Sequence, residues 1–216
     1  MLDRSSRPEK GALWTVAQAL NRRAAPKRPL PPLLFLTDPQ RTPDPVAIAE
    51  RLPSGAGVVY RGFGAADAPE VAARLAAVAQ ARGLSLLIGV VETLAEACGA
   101  QGLHLPERMI HRVAEIRRDH PDWIVTAAAH DAEALRQAAE AGADAALLST
   151  VFHSQSPSAG PALGAETFSR MVAAAGLPVY ALGGIDDFNA PHLADSGAVG
   201  IAAVEGVIRM EAKEAG

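Results

Sequence analysis

The sequence predicts a single (β/α)8 barrel preceded by an N-terminal amphipathic helix, and three observations carry that expectation. Eight short apolar runs recur along the chain, helix-like stretches separate them, and three glycine corners echo one another: CGAQG (98–102), AGADA (141–145) and SGAVG (196–200). Strands that are apolar on both faces and alternate with helices belong to a parallel sheet, and eight such units within 216 residues close into a barrel. An open doubly wound sheet is the competing arrangement for the same pattern.

Residues 1–32 read as a helix and a proline-rich linker. In GALWTVAQALNRRA, Leu13, Val16 and Leu20 share one helical face, and KRPLPP then breaks the helix, which suggests a lid across the barrel bottom. Docking of a partner on that face is the alternative. The barrel spans 33–216, with strands at LLFLT (33–37), GVVYR (57–61), LSLLIGV (84–90), GLHL (102–105), DWIVTAA (122–128), AALLS (145–149), PVYAL (178–182) and VGIAAV (199–204). The clearest connecting helix is DAPEVAARLAAVAQARG. There Asp67 caps, Pro69 suits the first turn, Val71, Leu75 and Val78 share a face, and Gly83 ends the helix. The glycine corners are helix-to-strand turns on the face opposite the function, and the tail RMEAKEAG is a frayed helix.

Composition narrows the function. With 49% apolar and 20% charged residues the chain can bury a core and is not of the disordered class. A formal charge of −4 gives no positive field for a polyanion, so nucleic acid is not an expected partner. The one cysteine, Cys98, cannot form an internal disulfide and reads as a small buried side chain. No run approaches the roughly 20 apolar residues that span a bilayer, and MLDRSSRPEKGALW lacks a secretory pattern, so a soluble cytoplasmic protein without a membrane partner is expected. Zinc-ligand spacing, a P-loop, a nucleophile elbow and a dinucleotide fingerprint are all missing.

In barrels of this kind function gathers where strands run into the following helices. Gly183 and Gly184 follow strand seven, and Ala203 and Val204 lead out of strand eight, so main-chain amides there can hold a phosphate. Plain turn-making is the structural alternative.

The set TVFHSQSPSAGPALG, LPVYALGGI and GAVGIAAVEGV, with LLFLTD near the start and GLHLPE in the middle, resembles the thiamine-phosphate synthase and TenI (thiazole tautomerase) family over roughly 33–208. The resemblance implies a (β/α)8 fold, a thiazole phosphate ligand and a role in making thiamine. It also implies that the synthase branch uses Mg²⁺ on a leaving pyrophosphate, yet several matching positions depart from that pattern. Arg61 remains in Val59-Tyr60-Arg61-Gly62-Phe63 without the synthase glutamine, glutamate and lysine. Gly89 and Val90 stand for Asn-Asp, Met109 for a metal carboxylate, Ala128 for a serine, and Pro157 for the lysine after Ser154 and Ser156. Glu205 replaces a serine expected at the phosphate.

His130, in VTAAAHDAEAL, matches the histidine that tautomerases use, and an imidazole near neutrality can serve as acid and base. Capping of the next helix beside Asp131 is its bland alternative. Asp38 matches a T-D element that serves a turn or a substrate. His104 faces the lumen, His111, His120 and His192 lie on exposed helices or turns, and His153 sits in the active-site loop.

Three functions follow as expectations. The first is a tautomerase without a cofactor, with His130 as proton shuttle, Arg61 steering the anion and Ser154 and Ser156 bonding its polar edge. The second is a diverged synthase with Mg²⁺ held by substitutes such as Glu92 or Glu107. The third is a non-catalytic binder of a thiamine-related metabolite. The partner throughout is a small phosphorylated thiazole-like molecule, and a homodimer is compatible with each.

Overall fold

The structure is a computed structural model that describes residues 11–156 and 159–212. Pro157 and the last four residues of the expected frayed tail lie outside that range, as does the start of the 1–32 segment. Eight parallel strands close in sequence order into a barrel: β1 (Leu33–Leu36), β2 (Gly57–Tyr60), β3 (Ser85–Gly89), β4 (Gly102–Leu105), β5 (Ile124–Ala129), β6 (Ala145–Leu148), β7 (Val179–Leu182) and β8 (Gly200–Ala203). β8 pairs back onto β1 with Leu33 opposite Ile201, so the open doubly wound alternative is overturned.

The alternation of side chains along each strand divides the core into two layers. Leu33, Phe35, Val58, Leu86, Leu103 and Val125 point outward against the helices. Leu34, Leu36, Val59, Leu87, Leu147 and Tyr180 fill the lumen. The same alternation sends His104 and Thr126 inward between outward neighbours, and both are buried.

The outer ring contains α2 (Pro45–Ala49), α3 (Ala68–Arg82), α4 (Glu92–Cys98), α5 (Val113–Asp119), α6 (Ala132–Ala141) and α7 (Gly164–Ala174), with α8 (Glu205–Ala212) after β8. In α3 the buried face is Ala68, Ala72, Leu75 and Ala79, while Val71 and Val78 are half-buried beside it. Gly83 ends α3 in the left-handed region, and Asp67 occupies the cap position without a side-chain capping hydrogen bond. Cys98 is half-buried rather than buried, and burial raises its thiol pKa.

One unit breaks the alternation. Between β7 and β8 the chain makes only a 3-10 turn over Ala190–Leu193, so Gly197 turns the backbone without ending an α-helix, unlike Gly99 and Gly142. The helix α1 (Ala12–Ala24) packs in that place, against β8 and the 3-10 turn. It therefore does not lie across the barrel bottom. Its first turn has amides without intrahelical acceptors, and Asp187, after β7, takes the Leu13 N–H at 2.9 Å. At the far end, the Asn21 side-chain amide donates to Leu30 O and Val199 O, both at 3.0 Å. The helix thus runs from the loops after the strands down to the start of β8, as a ring helix does. Leu13, Ala17 and Leu20 are its buried contacts.

The linker closes the bottom instead. Leu30 enters the lumen cluster, and the Tyr180 hydroxyl donates to Pro31 O at 2.6 Å. Arg28 reaches the carbonyls of Pro121, Asp122 and Trp123 and pairs with Asp144 at 3.2 Å. Covering the apolar lumen at one end leaves the other as the entrance.

Candidate functional site

At the C-terminal ends of the strands a cavity of about 350 Å³ opens, lined mainly from the loops after β6, β7 and β8 and reached by Arg41, Arg61 and His130. These loops interlock. Gly183 and Gly184 have φ of 101° and 66°, and a Cβ on Gly184 would stand 2.2 Å from His153 O. A Cβ on Gly206 would stand 2.2 Å from Ile185 O. Both the left-handed backbone and the close approach demand glycine, so these residues have a structural reason independent of any ligand. Among the described residues and outside the strand ladder, no acceptor meets the amides of Gly184, Val204, Glu205 or Gly206. They gather at the start of α8, where amide hydrogens and the helix dipole favour an anion. Ala203, the last residue of β8, and Val204 both line the cavity.

Glu205 does not stand as an unpaired charge there. Its carboxylate accepts from Arg41 at 3.5 Å and from Arg209, one turn along α8, at 3.3 Å. Arg209 also reaches Asp186 at 3.3 Å. Asp38 closes its own turn by accepting from the Gln40 and Arg41 amides, and its second oxygen takes Arg41 at 2.9 Å. The Arg41 guanidinium accordingly holds Asp38 below the ordinary carboxylate range. Arg61 donates through Nε to Thr37 O at 2.7 Å and lies 3.8 Å from Asp38. Burial pushes Arg61 below the usual arginine range, Asp38 opposes the shift, and Arg41 adds to it. Arg41 Nε and Arg61 Nη2 are buried and lack hydrogen-bond partners among the described residues.

His130 sits at the turn from β5 into α6, with about half its side chain exposed and part of it on the cavity wall. It does not cap the helix. Asp131 does so, accepting from the Ala134 N–H at 2.8 Å. The His130 ring meets Glu107, after β4, with Nδ1 to Oε2 at 2.7 Å. His153, Ser154 and Ser156 line the opposite loop, where Ser154 Oγ accepts from the Ser156 N–H at 3.2 Å.

His104 lies deeper and outside the cavity lining, with Nδ1 3.0 Å from Thr126 Oγ1. Burial, helped by the charge of Arg61, lowers its pKa to about 3, so the ring is a neutral packing element at ordinary pH. His111 and His192 are exposed as expected. His120 is not: it is half-buried, stacked on Trp123 at 3.7 Å between ring centroids and close to Glu92 and Glu96.

The mouth has a different character over β2 and β3. Phe63, Val90 and Val91 are exposed there, while Met109 packs partly into the core. The two carboxylates expected as substitute metal ligands are already engaged, Glu92 with Arg112 at 2.9 Å and Glu107 with His130. Mg²⁺ requires several oxygen ligands in near-octahedral array. The residues presented over this arc do not fit it.

Arg41, Arg209 and Asn189 also belong to the site and carry no sequence signal. Each becomes relevant only through contacts with a distant loop or with the Gly184 carbonyl, which accepts from Asn189 at 2.7 Å.

Comparison with known proteins adds an independent line. The family model described as thiamine monophosphate synthase (TMP-TENI) matches residues 33–207. The thiamine biosynthesis bifunctional protein ThiM/ThiE of Symbiobacterium thermophilum is 34% identical over 140 residues, covering 64% of this chain and 29% of that protein. A thiamine-phosphate synthase of Roseiflexus is 30% identical over 132 residues, covering 58% of this chain and 54% of the relative. The matched stretches thus span about half or less of these two relatives. Among solved structures, thiamine phosphate pyrophosphorylase from Pyrococcus furiosus superposes with a TM-score of 0.69 at 22% identity, covering 85% of this chain and 96% of the other. At that identity the likeness speaks for the barrel alone. No helix among the described residues is long and apolar enough to cross a membrane.

Proposed function

Because this chain belongs to the thiamine monophosphate synthase (TMP-TENI) family, we propose that its mouth holds a small phosphorylated, thiazole-like ring and that His130 moves a proton between two positions of that ring. The observation that carries this reading is the placement of His130 on the same cavity as Gly183 and the amides of Gly184 and Val204. The phosphate lies against those amides and the start of α8, with Arg61 and Arg41 supplying positive charge and Ser154 and Ser156 facing the ring. The imidazole removes a proton from one ring position and returns it at another. No group departs, so no large negative charge has to be neutralised during the reaction.

A second reading is the joining of a pyrimidine pyrophosphate to a thiazole phosphate. Its support is the family model, described as thiamine monophosphate synthase, and the Roseiflexus relative named thiamine-phosphate synthase, together with the retained Arg61. Against it stands the apolar arc of Phe63, Val90 and Val91, where a metal-bound pyrophosphate would need oxygen ligands. Two incubations separate the readings. Carboxythiazole phosphate alone is followed by absorbance, and both synthase substrates with Mg²⁺ are followed by pyrophosphate release. A ring shift without pyrophosphate release supports proton transfer. Mg²⁺-dependent pyrophosphate release overturns it in favour of synthesis, and tight binding with neither reaction leaves a metabolite-binding protein.

A further inference from the structure

The Glu107–His130 contact has a chemical consequence. One carboxylate oxygen, Glu107 Oε2, accepts from the His130 backbone N–H at 2.9 Å and meets the ring Nδ1 at 2.7 Å. An ionised carboxylate only accepts, so the ring meets it with hydrogen on Nδ1. In a neutral imidazole that leaves the lone pair on Nε2. Glu107 itself lies outside the cavity lining, whereas His130 is part of it. The side-chain cap of α6 is Asp131, which accepts from the Ala134 N–H, so helix capping does not account for this contact.

We propose that Glu107 is a positioning residue for His130. It holds the ring in the Nδ1–H tautomer and in one orientation, so that Nε2 alone takes the proton from the ligand and returns it. The proposal rests on the reading of His130 as the proton-transfer group, and it identifies which nitrogen does the work. Glu107 forms no bond to the substrate and remains ionised throughout. When Nε2 is protonated, the neighbouring carboxylate stabilises the imidazolium until the proton is delivered.

The test is nitrogen-15 NMR of histidine-labelled full-length protein, at a pH where His130 is neutral, on wild type, Glu107→Ala and Glu107→Gln. Glutamine keeps an acceptor oxygen and serves as the conservative rescue. Wild type and Glu107→Gln should show a pyridine-type Nε2, whereas Glu107→Ala should turn the ring toward the Nε2–H tautomer. Turnover of carboxythiazole phosphate by Glu107→Ala should fall roughly tenfold to a hundredfold in kcat with little change in KM, as for other residues that orient a working histidine. An unchanged tautomer in Glu107→Ala overturns the proposal, and so does an altered tautomer with undiminished kcat. If wild type itself turns over no substrate, the proton-transfer reading of His130 fails, while the tautomer measurement still decides whether Glu107 sets the ring.

Discussion

Leu20→Ala tests whether α1 is part of the barrel's outer ring. Leu20 is 1% exposed and Leu13 is fully buried, both facing the groove left where β7 and β8 are joined without an α-helix. Truncating a buried leucine removes its transfer free energy and leaves a cavity, together about 3 kcal/mol. For a domain of this size each kcal/mol lowers the melting temperature by roughly 2–4 °C, so a fall of about 6–12 °C is expected. Scanning calorimetry on the full chain provides the measurement, with half-buried Val16→Ala as a milder control. A single transition displaced by that amount supports an integral α1. A barrel transition unmoved by Leu20→Ala, or a separate low-temperature transition for residues 12–24, would refute it.

The buried His104 and the paired Glu205 yield two further predictions. In the folded protein His104 stays neutral down to about pH 3, whereas in the unfolded chain it takes a proton near pH 6.5. The unfolded state binds more protons between those values, so stability falls as pH drops, by up to about 1.4 kcal/mol per pH unit. Between about pH 7.5 and about pH 5.5, urea unfolding of the wild type should therefore lose about 1.4 kcal/mol more than that of His104→Asn, and equal losses would contradict the neutral buried ring. Glu205→Ser removes a negative charge from the start of α8 and leaves Arg41 with Asp38 as its remaining carboxylate partner, so inorganic phosphate should bind about tenfold tighter by calorimetry, with the gain shrinking in salt. Unchanged or weaker binding would mean that phosphate sits elsewhere.

The strands were legible because their apolar runs are local, and each observed strand falls within a residue or two of the expected run. Two glycine corners, at Gly99 and Gly142, were legible for the same reason: a helix ending in the left-handed region writes its glycine at the ending. The third corner looked identical in sequence, yet Gly197 follows a 3-10 turn. Where α1 packs was hidden, because Leu13 is 174 positions from Asp187 and Asn21 is 178 from Val199. An amphipathic pattern announces a helix face without naming its partner.

The site follows the same division. Gly183, Gly184 and His130 stand at strand ends that the period of the apolar runs locates. The pairing of Glu205 with Arg41, 164 positions apart, does not appear in any local pattern, and neither does the bond between Glu107 and His130. From sequence Glu107 reads as a substitute metal carboxylate, with nothing to tie it to His130. Its role in orienting the ring depends on the closure of β4 against β5, which brings the two loops together.

The decisive comparison is the turnover of carboxythiazole phosphate by wild type and His130→Ala, alongside calorimetric affinity of each for thiazole phosphate. Loss of the acid–base group should lower kcat at least about a hundredfold, while affinity for the phosphorylated ring, held by the amides of Gly184 and Val204, stays within about threefold. Equal turnover by the two proteins would remove His130 from the chemistry and, with it, the proton-transfer reading of the cavity.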